Sequence, residues 1–298
     1  MTISRPNWQN YTFALILFFV SSAIAAAPLA VTTWNIEWLT TKPSEQFVQS
    51  KRKQADFDAL AKHFATIGTD VLAFQEVNDL EAIGKVVGKD YDIYLSERAN
   101  TKYQKQQFND INQYTGFAVR KGIHYKNQTD LRLDPRENSK LRFAAYAIIT
   151  VNQRSPIHVL SVHLKARCSG AYNSSKDCQV LKSQGKVLNQ WILEREKAKQ
   201  QYMVLGDFNH NLGYQGDWLW RDIAQFSSAK LATRSTQASC KVRSRHQPKR
   251  LHQFRSLIDH IIVSDDLSFS PPKQVAFPSE QVLNYHLSDH CPLKTSLN

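Results

Sequence analysis

Short runs rich in Val, Ile and Phe punctuate the chain at positions 30–36, 71–77, 116–120, 144–151, 157–164, 202–208, 257–263 and 292–297. Their length and β-branched and aromatic content suit buried strands. Two longer stretches follow a helical period instead. Over 50–67, Phe57, Leu60, Ala61, Phe64 and Ile67 share one face and Gly68 supplies a stop. Over 177–199, Val180, Leu181, Leu188, Trp191 and Ile192 do the same. No Pro/Gly/Ser linker interrupts the alternation of strands and helices, which predicts one α/β domain. The polar stretches 98–114 and 241–255 read as long surface loops, which in a compact domain are more often functional than idle.

Polar residues suited to metal or phosphate gather at the ends of these runs. Asn35 and Glu37 follow the first, and Gln75 and Glu76 end the second. His163 and Lys165 end the fifth, Asp207 and Asn209 end the sixth, Asp259 and His260 lie in the seventh, and Asp289 and His290 precede the last. Singly, each has the ordinary explanation of a turn or cap residue. Together they form an ordered series: Trp34-Asn35-Ile36-Glu37-Trp38, Phe74-Gln75-Glu76-Val77, Ser161-Val162-His163-Leu164-Lys165, Gly206-Asp207-Phe208-Asn209, Ser256-Leu257-Ile258-Asp259-His260 and Ser288-Asp289-His290-Cys291-Pro292. This series resembles the endonuclease/exonuclease/phosphatase superfamily, which includes pancreatic-type deoxyribonucleases, abasic-site endonucleases, bacterial sphingomyelinases and inositol-polyphosphate phosphatases.

The resemblance implies a four-layer α/β sandwich, two packed mixed β-sheets flanked by helices, with the active site along one edge. It implies Glu76 as the principal metal ligand, with Asn35 beside it and Asp289 close enough to take part. Asp207 and Asn209 would orient the attacking water and hold a phosphate oxygen, while His163 and His290 approach the scissile phosphate from either side. Asp259 would buttress His290, since a carboxylate on one imidazole nitrogen fixes the tautomer and favours the protonated form. Hard oxygen donors suit Mg²⁺ or Mn²⁺, with Ca²⁺ as a supporting ion, and no Cys cluster points to a softer metal. Arg142 and Lys165 are candidate phosphate or metal-site neighbours. Glu37 reads as a surface residue or a support to the ligands, because Asn35 holds the matching motif position. His260 reads as structural, since strand alternation turns it away from the face of Asp259.

Composition adds the compartment and the partner. Arg5, an apolar run over 13–20 and the small residues over 23–27 have the pattern of a secretory signal. The expected division is therefore a signal peptide over 1–27 and one domain over 28–298, periplasmic or secreted, monomeric and without a membrane anchor after cleavage. Loss of Arg5, the only ionised side chain in that segment, lowers the net charge from +12 to +11, which favours polyanionic partners. The four cysteines, Cys168, Cys178, Cys240 and Cys291, all follow the signal, and an even count in an oxidising compartment suggests two disulfides. Cys168 and Cys178 flank the polar loop 169–177 and are expected to close it; Cys240–Cys291 follows by elimination.

The motifs specify hydrolysis of a phosphodiester but not which one. Between Asn209 and Asp259 the chain carries Lys241, Arg243, Arg245, His246, Lys249, Arg250, His252 and Arg255, a cationic segment placed to meet a nucleic-acid backbone. Arg243, Arg245, Lys249 and Arg250 are the candidate backbone contacts. Arg98, Lys102, Tyr103, Lys105 and Phe108 mix cations with aromatics in a second loop suited to backbone contact and base stacking. These features favour a nuclease acting on DNA or RNA. The alternatives are a sphingomyelinase-like phospholipid phosphodiesterase, which would need apolar loop tips, for which Gly213-Tyr214 through Asp217-Trp218-Leu219-Trp220 is the only candidate segment, and a non-catalytic basic binding protein.

Overall fold

The protein is described by a computed structural model covering residues 1–3, 28–151, 155–244, 246–247 and 249–298; residues 4–27 of the expected signal segment and Arg245 lie outside the described residues. In chain order the elements begin β1 (Leu29–Leu39), α1 (Gln54–Ile67), β2 (Val71–Val77), α2 (Leu80–Val87), β3 (Tyr91–Leu95), β4 (Tyr114–Arg120), β5 (His124–Asn127), β6 (Ala145–Thr150) and β7 (Ile157–His163). They continue α3 (Lys176–Lys197), β8 (Gln201–Asp207), α4 (Trp218–Ala224), β9 (Lys230–Leu231), β10 (Lys241–Arg243) and β11 (Leu251–Gln253). The last are β12 (Asp259–Val263), β13 (Lys273–Gln274), α5 (Ser279–Asn284) and β14 (Leu293–Leu297).

Two six-stranded mixed sheets, in the orders β13-β14-β1-β2-β4-β3 and β5-β6-β7-β8-β12-β9, lie face to face. Val31, Val71, Ala73 and Phe117 of the first sheet pack between the sheets against Ala147, Val159, Met203, Leu205 and Ile261 of the second. The outer face of the first sheet, with Trp34, Ile36, Leu72 and Phe74, is covered by Phe57, Leu60, Phe64 and Ile67 of α1 and by Ile83 and Val86 of α2. The outer face of the second, with Leu160, Val162, Tyr202 and Val204, is covered by Leu181, Leu188, Trp191 and Ile192 of α3 and by Leu219 and Ile223 of α4. This is the expected four-layer α/β sandwich.

Strand alternation decides where the polar motifs end up. Residues 31 and 33, 71 and 73, 157 and 159, 203 and 205, and 261 and 263 face the inter-sheet layer, so Asn35, Gln75, His163, Asp207 and Asp259 inherit that face at its far end. Registers align them: Asn35 opposite Gln75 in the first sheet, and His163 opposite Asp207 opposite Asp259 in the second. Gly206 allows the close pairing of β8 with β7. It sits at φ +151°, and a Cβ there would lie 2.0 Å from the Val162 carbonyl oxygen.

Polar side chains tie the two sheets just beneath this row. Gln75 Nε2 donates to Ser161 Oγ at 3.0 Å, Ser161 Oγ donates to the Phe74 carbonyl at 3.0 Å, and Thr33 Oγ1 donates to Gln75 Oε1 at 3.3 Å. All three side chains are buried, so their hydrogen bonds are made in a medium that penalises any unmet partner.

The stretches expected as loops are folded. Residues 98–114 begin with 3₁₀ turns at Glu97–Ala99 and Thr101–Gln106. There Arg98 is fully buried, donating to the Gln106 carbonyl, Asn112 Oδ1 and the Gln113 carbonyl, with its guanidinium over the Tyr114 ring. It staples that segment rather than meeting solvent. Residues 241–255 contain the hairpin β10–β11, with Val242 opposite His252. Both expected disulfides are present, Cys168–Cys178 and Cys240–Cys291. Among the described residues no helix is long and apolar enough to cross a membrane.

Replacing Gln75 by Leu should remove the inter-sheet tie and leave polar groups unmet. Chemical unfolding is expected to show a loss of about 1–3 kcal/mol; an unchanged midpoint would mean that apolar packing alone holds the sheets in register.

Candidate active site

The row of polar residues converges with side chains brought in by irregular backbone. Glu76 has the wrong parity for the inter-sheet face, but it sits at φ +58°, where the β2 pairing to β4 shifts register. This local kink turns its carboxylate toward the row. Asn35 Nδ2 donates to Glu76 Oε1 at 3.1 Å and to Asp207 Oδ2 at 3.0 Å, so one amide links the two sheets. The Trp38 amide donates to Glu76 Oε2 at 3.2 Å. Asn209, at φ +52°, turns back so that its amide donates to the Leu164 carbonyl and to Asp207 Oδ2, both at 3.2 Å. Its backbone N–H reaches Asp207 Oδ1 at 2.7 Å.

The C-terminal motif is pinned to β1. Ser288 Oγ donates to the Asn35 carbonyl at 2.7 Å, the Asp289 amide donates to Glu37 Oε2 at 3.2 Å, and Trp34 Nε1 donates to the His290 carbonyl at 3.1 Å. Cys291 then ties this segment to Cys240, next to β10. These links set His290 opposite Asp259, to whose Oδ2 the imidazole Nδ1 donates at 2.8 Å. His290 Nε2 remains toward the row, 3.9 Å from Asp207 Oδ2 and 3.8 Å from Asp289 Oδ1.

The two histidines are poised in opposite protonation states. Burial works against charge on His290, but the carboxylates of Asp259 and Asp207 outweigh it and raise its pKa well above the ordinary value. Burial also disfavours charge on His163, and the neighbouring Arg142 guanidinium adds to the effect, so His163 is held neutral. Its Nε2 lies 3.6 Å from Glu76 Oε1 and 3.5 Å from Asp207 Oδ2. The carboxylates shift upward as well. Burial raises Glu76, with Asp289 adding repulsion. Burial pushes Asp207 up to about 7, with His290 opposing and Asp259 and Glu76 adding to the rise.

Such crowding of buried carboxylates is an electrostatic deficit that a divalent cation would relieve. The oxygen donors gather around Glu76: the Asn35 amide touches it, the charge of Asp289 acts on it, and His163 and Asp207 bring further ligand atoms within 4.8 Å of its carboxylate. Asp207, Asp259 and His290 are equally close. There, however, the imidazole Nδ1 is already hydrogen-bonded to Asp259, so these three side chains are engaged with one another. Mg²⁺ or Mn²⁺ suits the oxygen donors.

The row opens into a cleft of about 810 Å³, within the range of small-ligand sites. Its walls include Glu37, Trp38, Phe47, Asp289 and, from the hairpin, Val242, Arg243, Ser244, His246, His252 and Phe254. The expected substrate contacts divide. Arg142 is in place: burial lowers its pKa, with the Glu76 and Asp207 carboxylates close enough to oppose that shift, and its Nη2 donates to the Leu164 carbonyl. Lys165 is not: it pairs with Asp177 at the start of α3, at 2.7 Å, because the chain turns outward after His163. Arg243 lines the cleft, yet its guanidinium donates to the carbonyls of Val282, Leu283 and Tyr285 at the end of α5, so it holds the hairpin down. Lys249 and Arg250 are exposed at the hairpin turn.

Glu37 is more than a surface residue. Burial, followed by repulsion from Asp289, pushes its carboxyl up to about 8. The left-handed backbone at Glu37, Trp38 and Glu76 is what sequence reading lacked, because no glycine marks it. His260 is structural as expected: its Nε2 accepts from the Leu212 amide at 3.1 Å, and Thr233 Oγ1 lies 2.9 Å from its Nδ1, on the outer face.

The sequence model of the Endonuclease/Exonuclease/phosphatase family matches residues 32–290. No curated protein matches the sequence. Among solved structures, an endonuclease/exonuclease/phosphatase from Bacteroides vulgatus is similar at 15% identity and TM-score 0.66, over 91% of this chain and 99% of that one. A mannosyl-6-phosphatase from Bacteroides thetaiotaomicron is similar at 13% identity and TM-score 0.62, over 91% and 99%. The human Nocturnin catalytic domain with bound sulfate is similar at 18% identity and TM-score 0.59, over 91% and 94%. TDP2 from Caenorhabditis elegans is similar at 16% identity and TM-score 0.61, over 91% of this chain and 75% of that one.

Because Asp259 is the leading cause of the upward shift at His290, Asp259→Asn should let His290 lose its proton at lower pH. An NMR titration of the metal-free protein should find His290 protonated through neutrality in the wild type and titrating at lower pH in the variant. Coincident titration curves would remove Asp259 from this role.

Proposed function

The chain belongs to the endonuclease/exonuclease/phosphatase family, a family of metal-dependent phosphoester hydrolases, and we propose that it is an exported nuclease hydrolysing the phosphodiester bonds of DNA or RNA. The observation that carries the choice of substrate is the hairpin β10–β11. It forms a wall of the cleft and bears exposed Lys241, Lys249 and Arg250 together with His246, His252 and Phe254. Cations and rings beside a phosphate site are the features a nucleic-acid backbone and its bases recognise. The phospholipid reading needs an apolar tip, but of the candidate segment 213–220 the ring of Tyr214 stands exposed while residues 217–220 start α4. Asp217 caps the Trp220 amide, Leu219 is buried, and Trp218 Nε1 donates to the Gly170 carbonyl.

A divalent cation held by Glu76 with Asn35 and Asp289 would stabilise charge on the phosphate oxygens as a Lewis acid. The protein's own groups supply the rest. Asp207 is oriented by its two hydrogen bonds from Asn209, and its raised pKa lets it accept a proton from the attacking water. His290, charged and fixed by Asp259, offers an N–H at Nε2 to the phosphate or to the leaving oxygen. Neutral His163 and the Arg142 guanidinium approach from the β7 side and complete the surround of the phosphate. Export rests on the signal-like segment and on the two disulfides, which persist in oxidising compartments.

Three outcomes follow. Release of acid-soluble nucleotides should stop on chelation, return with Mg²⁺ or Mn²⁺, and be absent in Glu76→Ala; phosphocholine released from sphingomyelin instead would replace the nuclease reading. His290→Ala or Asp207→Ala should lower turnover by about a hundredfold or more while nucleic-acid binding changes little. Lys249→Ala with Arg250→Ala should do the reverse, weakening binding for every sequence and flattening its logarithmic salt dependence by about one unit per lost contact. Wild-type salt dependence in that double variant would remove the hairpin from the interface.

A further inference from the structure

The cleft carries aromatic side chains that the phosphate chemistry does not use. Trp38 and Phe47 stack, with ring centroids 4.5 Å apart and planes at 16°. His252 and Phe254 meet edge to face at 5.1 Å on the hairpin. All four line the same cleft as Glu76, Asp207 and His290, and Phe254 is 40% exposed.

Trp38 is there at a backbone cost. By alternation it should follow Trp34 and Ile36 into the core beneath α1, where both are fully buried. Instead Glu37 at φ +42° and Trp38 at φ +51° form a left-handed kink where β1 shifts register against β2. Two successive non-glycine residues in that conformation are strained. The kink takes a tryptophan out of an available apolar face and leaves it half-buried at the cleft. Its backbone amide, which any residue here would supply, is held by Glu76 Oε2.

We propose that Trp38, with Phe47 behind it, and Phe254, with His252, form a subsite for the nucleobase adjoining the scissile phosphate. The proposal rests on the nucleic-acid reading above and deepens it. Flat π surfaces beside a phosphate site, next to exposed cations, fit a base attached to that phosphate. Stacking of this kind is tolerant of base identity, because every base has a π face. The subsite therefore contributes to binding a nucleotide without selecting its sequence.

The test compares hydrolysis of a dinucleotide phosphodiester, in deoxy and ribo forms, with analogues lacking the base on one side of the phosphate. In the wild type, loss of one base should raise KM by about 5- to 100-fold. Trp38→Ala and, separately, the solvent-facing Phe254→Ala should raise KM for the intact dinucleotide toward that of the base-less analogue. They should leave KM for that analogue and kcat for both nearly unchanged, and Trp38→Phe should recover most of the loss. Equal losses on intact and base-less substrates, or no loss in either alanine variant, would overturn the subsite alone. A wild type that cleaves no dinucleotide but releases phosphate from hexose 6-phosphate would overturn the nucleic-acid reading, and the subsite with it.

Discussion

A single buried amide holds the two halves of this site together. Asn35 belongs to one sheet, yet its Nδ2 donates both to Glu76 of that sheet and to Asp207 of the other. Among the described residues no backbone ladder crosses between the sheets, so the separation of these carboxylates depends on side chains: the apolar inter-sheet layer, the Thr33–Gln75–Ser161 contacts and this bifurcated donation. The site can exist only where the inter-sheet face changes from apolar to polar. That change occurs at one end of β1, β2, β7, β8 and β12, and the strand registers bring those ends level.

The arrangement is unfavourable in isolation. Glu76, Asp207 and Glu37 are all displaced upward by burial, with neighbouring carboxylates adding to the effect. Among the described residues, Arg52 beside Glu37, Arg142 beside Glu76 and the His290 imidazolium offset this negative charge. Residues held against such penalties, and against left-handed backbone at Glu37, Trp38, Glu76 and Asn209, mark a functional site rather than a stabilising network. The surrounding four layers, two disulfides and the Arg98 staple supply the stability that lets the strain persist.

Much of this was legible because period-two alternation is a local property. Once 71–77, 157–164 and 202–208 are read as strands, Gln75, His163 and Asp207 must share the face of their apolar neighbours, and His260 must leave the face of Asp259. What escaped depends on backbone that breaks the period or on contacts distant in sequence. Trp38 reaches the cleft through left-handed residues that are not glycine, as does Glu76, which the ordered motifs supplied but the period alone would have turned away. Lys165 turns to Asp177, and Arg243 caps carbonyls of a short helix that the pattern did not reveal. The hairpin strands β10 and β11 are three residues each, too short to carry a periodic signal, and their cations mask the cleft wall they build. α2 was also missed, although Asp79 caps it and could have announced it.

A hard divalent cation would complete these crowded carboxylates. A cation entering partly protonated carboxylates must displace protons, so calorimetric titration of Mg²⁺ and Mn²⁺ into the metal-free protein, repeated in buffers of different ionisation enthalpy, detects it. Binding with net proton release near neutral pH is expected, with loss of both in Glu76→Ala. Binding that releases no protons and survives Glu76→Ala, or no binding at all, would leave the crowding of these carboxylates without its cation.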